Sequence, residues 1–179
     1  MSKSFAGKSI LITGASGTIG VALVQHFLAC GAHVVAQIHR ATLTVSDHPN
    51  LHTITGDLAD PEVGNHLVSG AIEATGSIHF IVNNAARQDV ASLRDGRTNL
   101  IDDIFRINVL AVSSILAAAS HASVEAIVNV SSIEAITARA GHAIYGASKA
   151  ALEALTRSAA AELAPMRVNA LRLDRKSVV

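Results

Sequence analysis

The sequence has no tryptophan, one tyrosine and one cysteine, and aromatic residues make up only 3% of the chain. Any core must therefore be built from Ala, Val, Ile and Leu, and the 50% hydrophobic content of the 179 residues is ample for one domain. A lone Cys30 excludes an intramolecular disulfide framework and fits a reduced, cytoplasmic setting. Neither charge sign is in excess, with Lys+Arg and Asp+Glu at 14 each. That excludes a basic footprint for nucleic acid and a polybasic membrane patch. No apolar run approaches the length of a membrane span, and Met1 to Lys8 carries no apolar signal region. Nine histidines are present, but none forms a helical ligand pair. His48 and His52 have the spacing, yet Pro49 lies between them, so no metal site is expected.

What is there alternates. Ser9 to Ile12 is a short apolar run that ends in Thr13-Gly14-Ala15-Ser16-Gly17-Thr18-Ile19-Gly20, and a helical pattern follows from Val21 to Cys30. Strand, glycine-rich turn and helix is the context of a dinucleotide fingerprint: glycines admit a pyrophosphate, and the helix N-terminus offers N–H groups and a positive dipole. His33 to Ile38 reads as a second strand, Leu51 to Ile54 as a third, Ile78 to Val82 as a fourth, Ala126 to Val130 as a fifth and Arg167 to Leu171 as a sixth. Helices are expected from near Pro61, over Leu100 to Ala119, and from Ala143 onward. Asn108 interrupts the second of these with a poor helix former.

This order predicts a Rossmann-like, doubly wound parallel sheet of about six strands, with helices on both faces. Ligands in such sheets bind beyond the carboxyl ends of the strands. The turn at Thr13, the Asn83-Asn84 pair and Ser132 all follow strand ends and so fall on one rim. Gln37, Ile38, His39 and Arg40 close the second strand without an acidic residue. A carboxylate there would bind a ribose 2′-OH, whereas a basic group accommodates a 2′-phosphate, which favours NADP(H) over NAD(H).

Tyr145 and Lys149 lie four residues apart on the expected helix and share a face. An ammonium beside a phenol favours the phenolate. Lowering a tyrosine pKa from about 10 by roughly three units needs about 4 kcal/mol of differential stabilisation.

Together these residues resemble the short-chain dehydrogenase/reductase family, in its single-domain branch, from Lys8 to about Leu171. The resemblance is carried by Thr13-Gly14 through Gly20, Asp57-Leu58, Asn83-Asn84-Ala85, Asn108, Ser132, Tyr145, Lys149 and Arg167-Val168-Asn169-Ala170. It implies hydride transfer between a nicotinamide and a carbonyl or secondary alcohol. Tyr145 would be the general acid/base, Lys149 would lower its pKa and bind the nicotinamide ribose, Ser132 would donate to the substrate oxygen, and Asn108 would hold a water linking Lys149 to solvent. Thr13, Gly14, Ser16, Gly17, Thr18, Ile19 and Gly20 would cradle the pyrophosphate. Asp57 and Leu58 would meet the adenine, Asn84 with Ala85 would lie near the ribose, and His39 and Arg40 would meet a 2′-phosphate.

Three departures qualify the resemblance. Gly14, Gly17 and Gly20 repeat every third residue, as in the extended branch of sugar-nucleotide epimerases and dehydratases, which remains an alternative beside a non-catalytic nucleotide-sensing module. Ala86 replaces a common glycine, and the His39-Arg40 pair is similar to pteridine reductases, which differ at Ser132. Finally, the family continues past the sixth strand with a substrate-binding segment, a seventh strand and a helix. Residues 1–173 then form an incomplete domain, and Asp174 to Val179 match the in-frame translation of a common sequencing adapter, gat-cgg-aag-agc-gtc-gtg. The expectation is a truncated gene with a non-native tail, tested by reading codons 174 to 179. Such a chain should expose Val168 and Ala170 on a sheet edge and be poorly soluble and nearly inactive. Apolar surface on more than one face of Leu100–Ala119 and Ala143–Leu163 predicts a homo-oligomer for the parent.

Overall fold

A computed structural model describes residues 4–95 and 98–174, excluding the side chain of Thr98. Of the tail expected at 174–179, only Asp174 falls within the described residues. The elements run β1 (Ser9–Ile12), α1 (Thr18–Ala29), β2 (His33–Ile38), β3 (Leu51–Thr55), α2 (Val63–Thr75), β4 (Phe80–Asn83), α3 (Thr98–Phe105), α4 (Ala111–Ala119), β5 (Ala126–Ser132), α5 (Ala143–Glu162) and β6 (Arg167–Leu173). All strand pairs are parallel, in the order β3-β2-β1-β4-β5-β6. The chain winds outward from β1 to β3, then returns to lay β4 on the other side of β1. That reversal opens a crevice at the carboxyl ends of β1 and β4, where a doubly wound sheet takes its ligand.

The period-2 alternation of buried strands builds the two faces. Ile10, Ile12, Val34 and Ala36 pack with Val24 and Leu28 of α1. Leu11, Val35, Ile81 and Ile127 point the other way, onto Leu67 and Val68 of α2, Ile115 and Leu116 of α4 and Leu152 of α5. Aliphatic side chains form both buried layers, and the partly buried Phe5, Phe27 and Phe80 pack against the α1 layer, Phe5 edge-on to the other two.

Four expectations are corrected. Helix α1 starts at Thr18 instead of Val21, so its first turn abuts the glycine turn. Strand β4 occupies Phe80–Asn83 instead of 78–82. The helix expected over Leu100–Ala119 is two α-helices joined by a π-helical turn at Arg106–Leu110, centred on Asn108. Strand β6 is the sheet edge, with Ala170 exposed as expected, but Val168 is only 5% exposed because it packs with Met166 and Ala159.

Candidate active site

The glycine turn is shaped by contacts a side chain would break. Gly14 has φ +64°, and a Cβ there would lie 2.8 Å from the Ala85 Cα. A Cβ on Gly20 would meet the Gly14 carbonyl oxygen at 2.2 Å, so this glycine lets α1 approach the turn. Thr13 Oγ1 accepts the N–H groups of Asn84 and Ala85, both at 3.1 Å, and Asn84 Nδ2 donates to the carbonyls of Thr13 and Gly14 at 3.0 and 3.1 Å. The ends of β1 and β4 are thereby stitched together.

Gln37 completes the turn. It is 2% exposed and follows the buried apolar run Val34-Val35-Ala36 of β2. Its Oε1 accepts the Gly14 N–H at 2.8 Å, and its Nε2 donates to the carbonyls of Gly56 and Ile38 at 2.7 and 3.0 Å. In the sequence Gln37 stands out only as a non-acidic residue near a strand end. A polar side chain in a buried strand must find partners, and that is the signal that marks it.

Beyond the turn, Gly14, Ser16, His39, Arg40, Asp57, Leu58 and Ala85 line a small cavity of about 210 Å³. His39 Nε2 stands 3.8 Å from Asp57 Oδ2, with both side chains about half exposed. The residue before α1, Gly17, supplies no side-chain cap, so the first-turn N–H groups remain available to an anion. A cradle open only to glycine, an uncapped helix N-terminus and two bases at the β2 end fit a dinucleotide, and Gly14, Ser16, His39 and Arg40 are the residues that would hold it. Thr13, Gly17, Thr18 and Gly20 line neither this cavity nor the larger one. Thr13 and Gly20 are buried and set the shape of the turn, while Gly17 and Thr18 are exposed where α1 begins.

A larger cavity of about 440 Å³ lies at the ends of β4 and β5, and Ile19, Asn84, Ser132, Tyr145 and Lys149 share it. Strand β5 delivers Ser132, whose Oγ accepts the Glu134 N–H at 3.2 Å and caps a 3₁₀ turn over Ile133–Ala135. Helix α5 delivers Tyr145 and Lys149 on its buried face, with Ser148, Leu152, Glu153, Thr156 and Ala159 at helical spacing. Lys149 Nζ lies 5.8 Å from the Tyr145 ring centre. It is 2% exposed, and burial pushes its pKa down to about 8.

Asn108 is not on the cavity wall. The π turn directs its amide inward, where it is 1% exposed. Oδ1 accepts the Arg87 N–H at 2.8 Å, and Nδ2 donates to the Arg87 carbonyl at 3.0 Å and to Ser148 Oγ at 2.9 Å. Both amide hydrogens are spent, so this side chain braces the loop after β4 against α5.

A parallel sheet of this winding, with a glycine turn at β1 and a Ser-Tyr-Lys cluster at β5 and α5, defines a dinucleotide-binding α/β oxidoreductase. Residues 8–173 match the sequence profile of the short chain dehydrogenase family, and the chain belongs to it. It is an oxidoreductase acting on CH–OH or carbonyl groups. L-xylulose reductase of Mesocricetus auratus is 37% identical over 181 residues, covering 96% of this chain and 72% of that protein. Carbonyl reductase [NADPH] 2 of Sus scrofa is 31% identical over 181 residues, with the same two coverages. A short chain dehydrogenase from Burkholderia cenocepacia J2315, solved in complex with NADP, superposes with a TM-score of 0.85 at 30% identity, covering 94% of this chain and 74% of that one. Among the described residues, no helix is long and apolar enough to cross a membrane.

Proposed function

We propose that the chain is an NADP(H)-dependent oxidoreductase in which Tyr145 exchanges the proton of a carbonyl/alcohol pair. The observation that carries this reading is that Ser132, Tyr145 and Lys149 line one cavity whose other wall includes Ile19 and Asn84 from the nucleotide side. When bound, the nicotinamide supplies or accepts the hydride. In the reducing direction, charge develops on the substrate oxygen. The Ser132 hydroxyl hydrogen is not spent on the Glu134 N–H, so it can donate to that oxygen. The Tyr145 hydroxyl delivers the proton, and the buried Lys149 ammonium stabilises the phenolate left behind. The Asn108 amide, engaged with Arg87 and Ser148, supports this site as a brace between the loop after β4 and α5.

Two basic residues at the end of β2 support NADP(H). The named relatives, an L-xylulose reductase and an NADPH-dependent carbonyl reductase, support a small-molecule carbonyl substrate and the same cofactor. A single buried cysteine supports a reducing, cytoplasmic setting. The exposed Leu110, with Ala147, Ala150 and Ala154 on the outer face of α5, supports self-association.

The decisive variant is Tyr145→Phe. Turnover of NADPH with a carbonyl substrate should fall by about 10²–10⁴-fold while NADPH affinity changes little. Retained turnover would exclude Tyr145 as the proton donor. A sensor would keep its nucleotide-dependent response in the variant.

A further inference from the structure

The mouth of the larger cavity carries a polar cluster that the proton chemistry leaves unused. Gln88, from the loop after β4, faces His142, from the segment before α5, with Nε2 and Nδ1 3.0 Å apart. The same Nδ1 lies 3.1 Å from Glu134 Oε2. Glu134 Oε1 is 3.4 Å from Arg139 Nη1. Next to this cluster the two loops also join through the Ala91 N–H and the Gly141 carbonyl at 2.9 Å.

His142 is 5% exposed, and its Nδ1 stands between an amide and a carboxylate oxygen. One ring nitrogen can accept from Gln88 or donate to Glu134, but not both with a single proton. With Gln88 donating, Glu134 Oε2 is buried without a hydrogen-bond partner. With Nδ1–H given to Glu134, the Gln88 carboxamide must turn and offer a different group to the cavity. In either arrangement the cluster has hydrogen-bonding capacity that its own members do not satisfy.

Gln88, Glu134, Thr137 and Arg139 all line the cavity that holds Ser132 and Tyr145. The Glu134 and Arg139 charges offset each other, so this wall does not select an anionic or cationic substrate. It offers donors and acceptors together, which matches a neutral group that is both, namely a hydroxyl. We propose that Gln88 is a specificity-determining residue for carbonyl substrates bearing hydroxyl groups beside the carbonyl. His142, braced by Glu134, is the positioning residue that aims it. This inference rests on the reductase reading above. A site built to hydrogen-bond a hydroxyl discriminates strongly against an analogue that lacks it.

The test compares kcat/KM for a straight-chain polyhydroxy 2-ketone with that for the 2-alkanone of equal length, using NADPH. The unaltered chain should favour the hydroxylated ketone. Gln88→Leu and His142→Leu should each lower that preference about tenfold, mainly by raising KM for the hydroxylated ketone. His142→Asn, which restores a hydrogen-bonding atom near the Nδ1 position, should recover most of the preference. A ratio unchanged in Gln88→Leu, with the melting temperature also unchanged, overturns the proposal. Calorimetric titration with the matching polyol and alkanol in the presence of NADP⁺ is the second arm. If neither ketone is reduced, the polyol arm alone decides this inference. Weaker polyol binding in Gln88→Leu supports it, and unaltered or absent polyol binding overturns it.

Discussion

Lys149 Nζ donates to the main-chain carbonyl of Val130 at 2.7 Å, tying α5 to β5 and fixing an ammonium 5.8 Å from the Tyr145 ring centre. The same bond places a cation where water barely reaches, and its pKa falls from 10.5 to about 8.

That shift makes stability depend on pH in a stated direction. Below pH 8 the lysine is protonated in both folded and unfolded chains, and the full burial penalty acts on the folded state. Between about pH 8 and 10.5 the unfolded chain holds the extra proton, so stability rises with pH. The whole effect is about 3 kcal/mol. Lys149→Met removes it and loses one hydrogen bond worth about 1 kcal/mol. Without cofactor, the variant should therefore be more stable at pH 7 by about 1–2 kcal/mol, its advantage shrinking toward pH 10, while turnover is lost. Urea unfolding of both chains across that range checks the sign, and a variant less stable at pH 7 would refute it.

The glycines of the turn should separate in an alanine series. Gly14→Ala forces a left-handed φ on a residue with a Cβ and drives it into Ala85, which should cost about 2–4 kcal/mol and abolish nucleotide binding. Gly17→Ala meets only the Gly14 carbonyl at 3.4 Å, with an ordinary φ of −78°, so its effect should stay within about 1 kcal/mol. Thermal melts with and without NADP⁺ report both quantities. Equal losses at the two positions would contradict the division of roles.

The alternation of strands and helices and the shared rim were readable because apolar runs, glycine turns and helical periods follow one another along the chain. Ser132, Tyr145 and Lys149 were readable because two of them share a helix face and the third ends a strand. What pattern could not show was how polar atoms are spent. Thr13 and Asn84 look like ligands in sequence, yet their hydroxyl and amide bond the turn itself. Asn108 looks like a misplaced helix residue, and only the π turn reveals that it braces Arg87. Gln37 and Gln88 act through partners 23 and 54 residues away, which no local spacing encodes.

Asn108 therefore should fail as a brace before it fails as chemistry. Asn108→Ala leaves the Arg87 N–H and carbonyl without their partner and removes the Ser148 contact. A loss of about 2–4 kcal/mol is expected from stranding these buried groups. Hydrogen exchange should quicken at the loop after β4 and in the first turns of α5, while the far edge at β3 keeps its protection. Uniform loosening of the whole sheet would argue against a local brace.

Cofactor preference should reside in the β2 end. His39 and Arg40 line the small cavity with one carboxylate, Asp57, and the His39–Asp57 contact is long and half exposed. Such a pair holds little energy, so His39 is free to turn toward an added phosphate. A charge-assisted contact to a 2′-phosphate is worth about 1.5–3 kcal/mol, or roughly 10–100-fold in affinity. Arg40→Asp should weaken NADPH binding by about that factor, leave NADH binding unchanged or stronger, and flatten the salt dependence of NADPH affinity. Titration followed by reduced-nicotinamide fluorescence at two ionic strengths measures all three. If the unaltered chain binds NADH as tightly as NADPH, the two bases are solvated loop residues and the 2′-phosphate has no partner here.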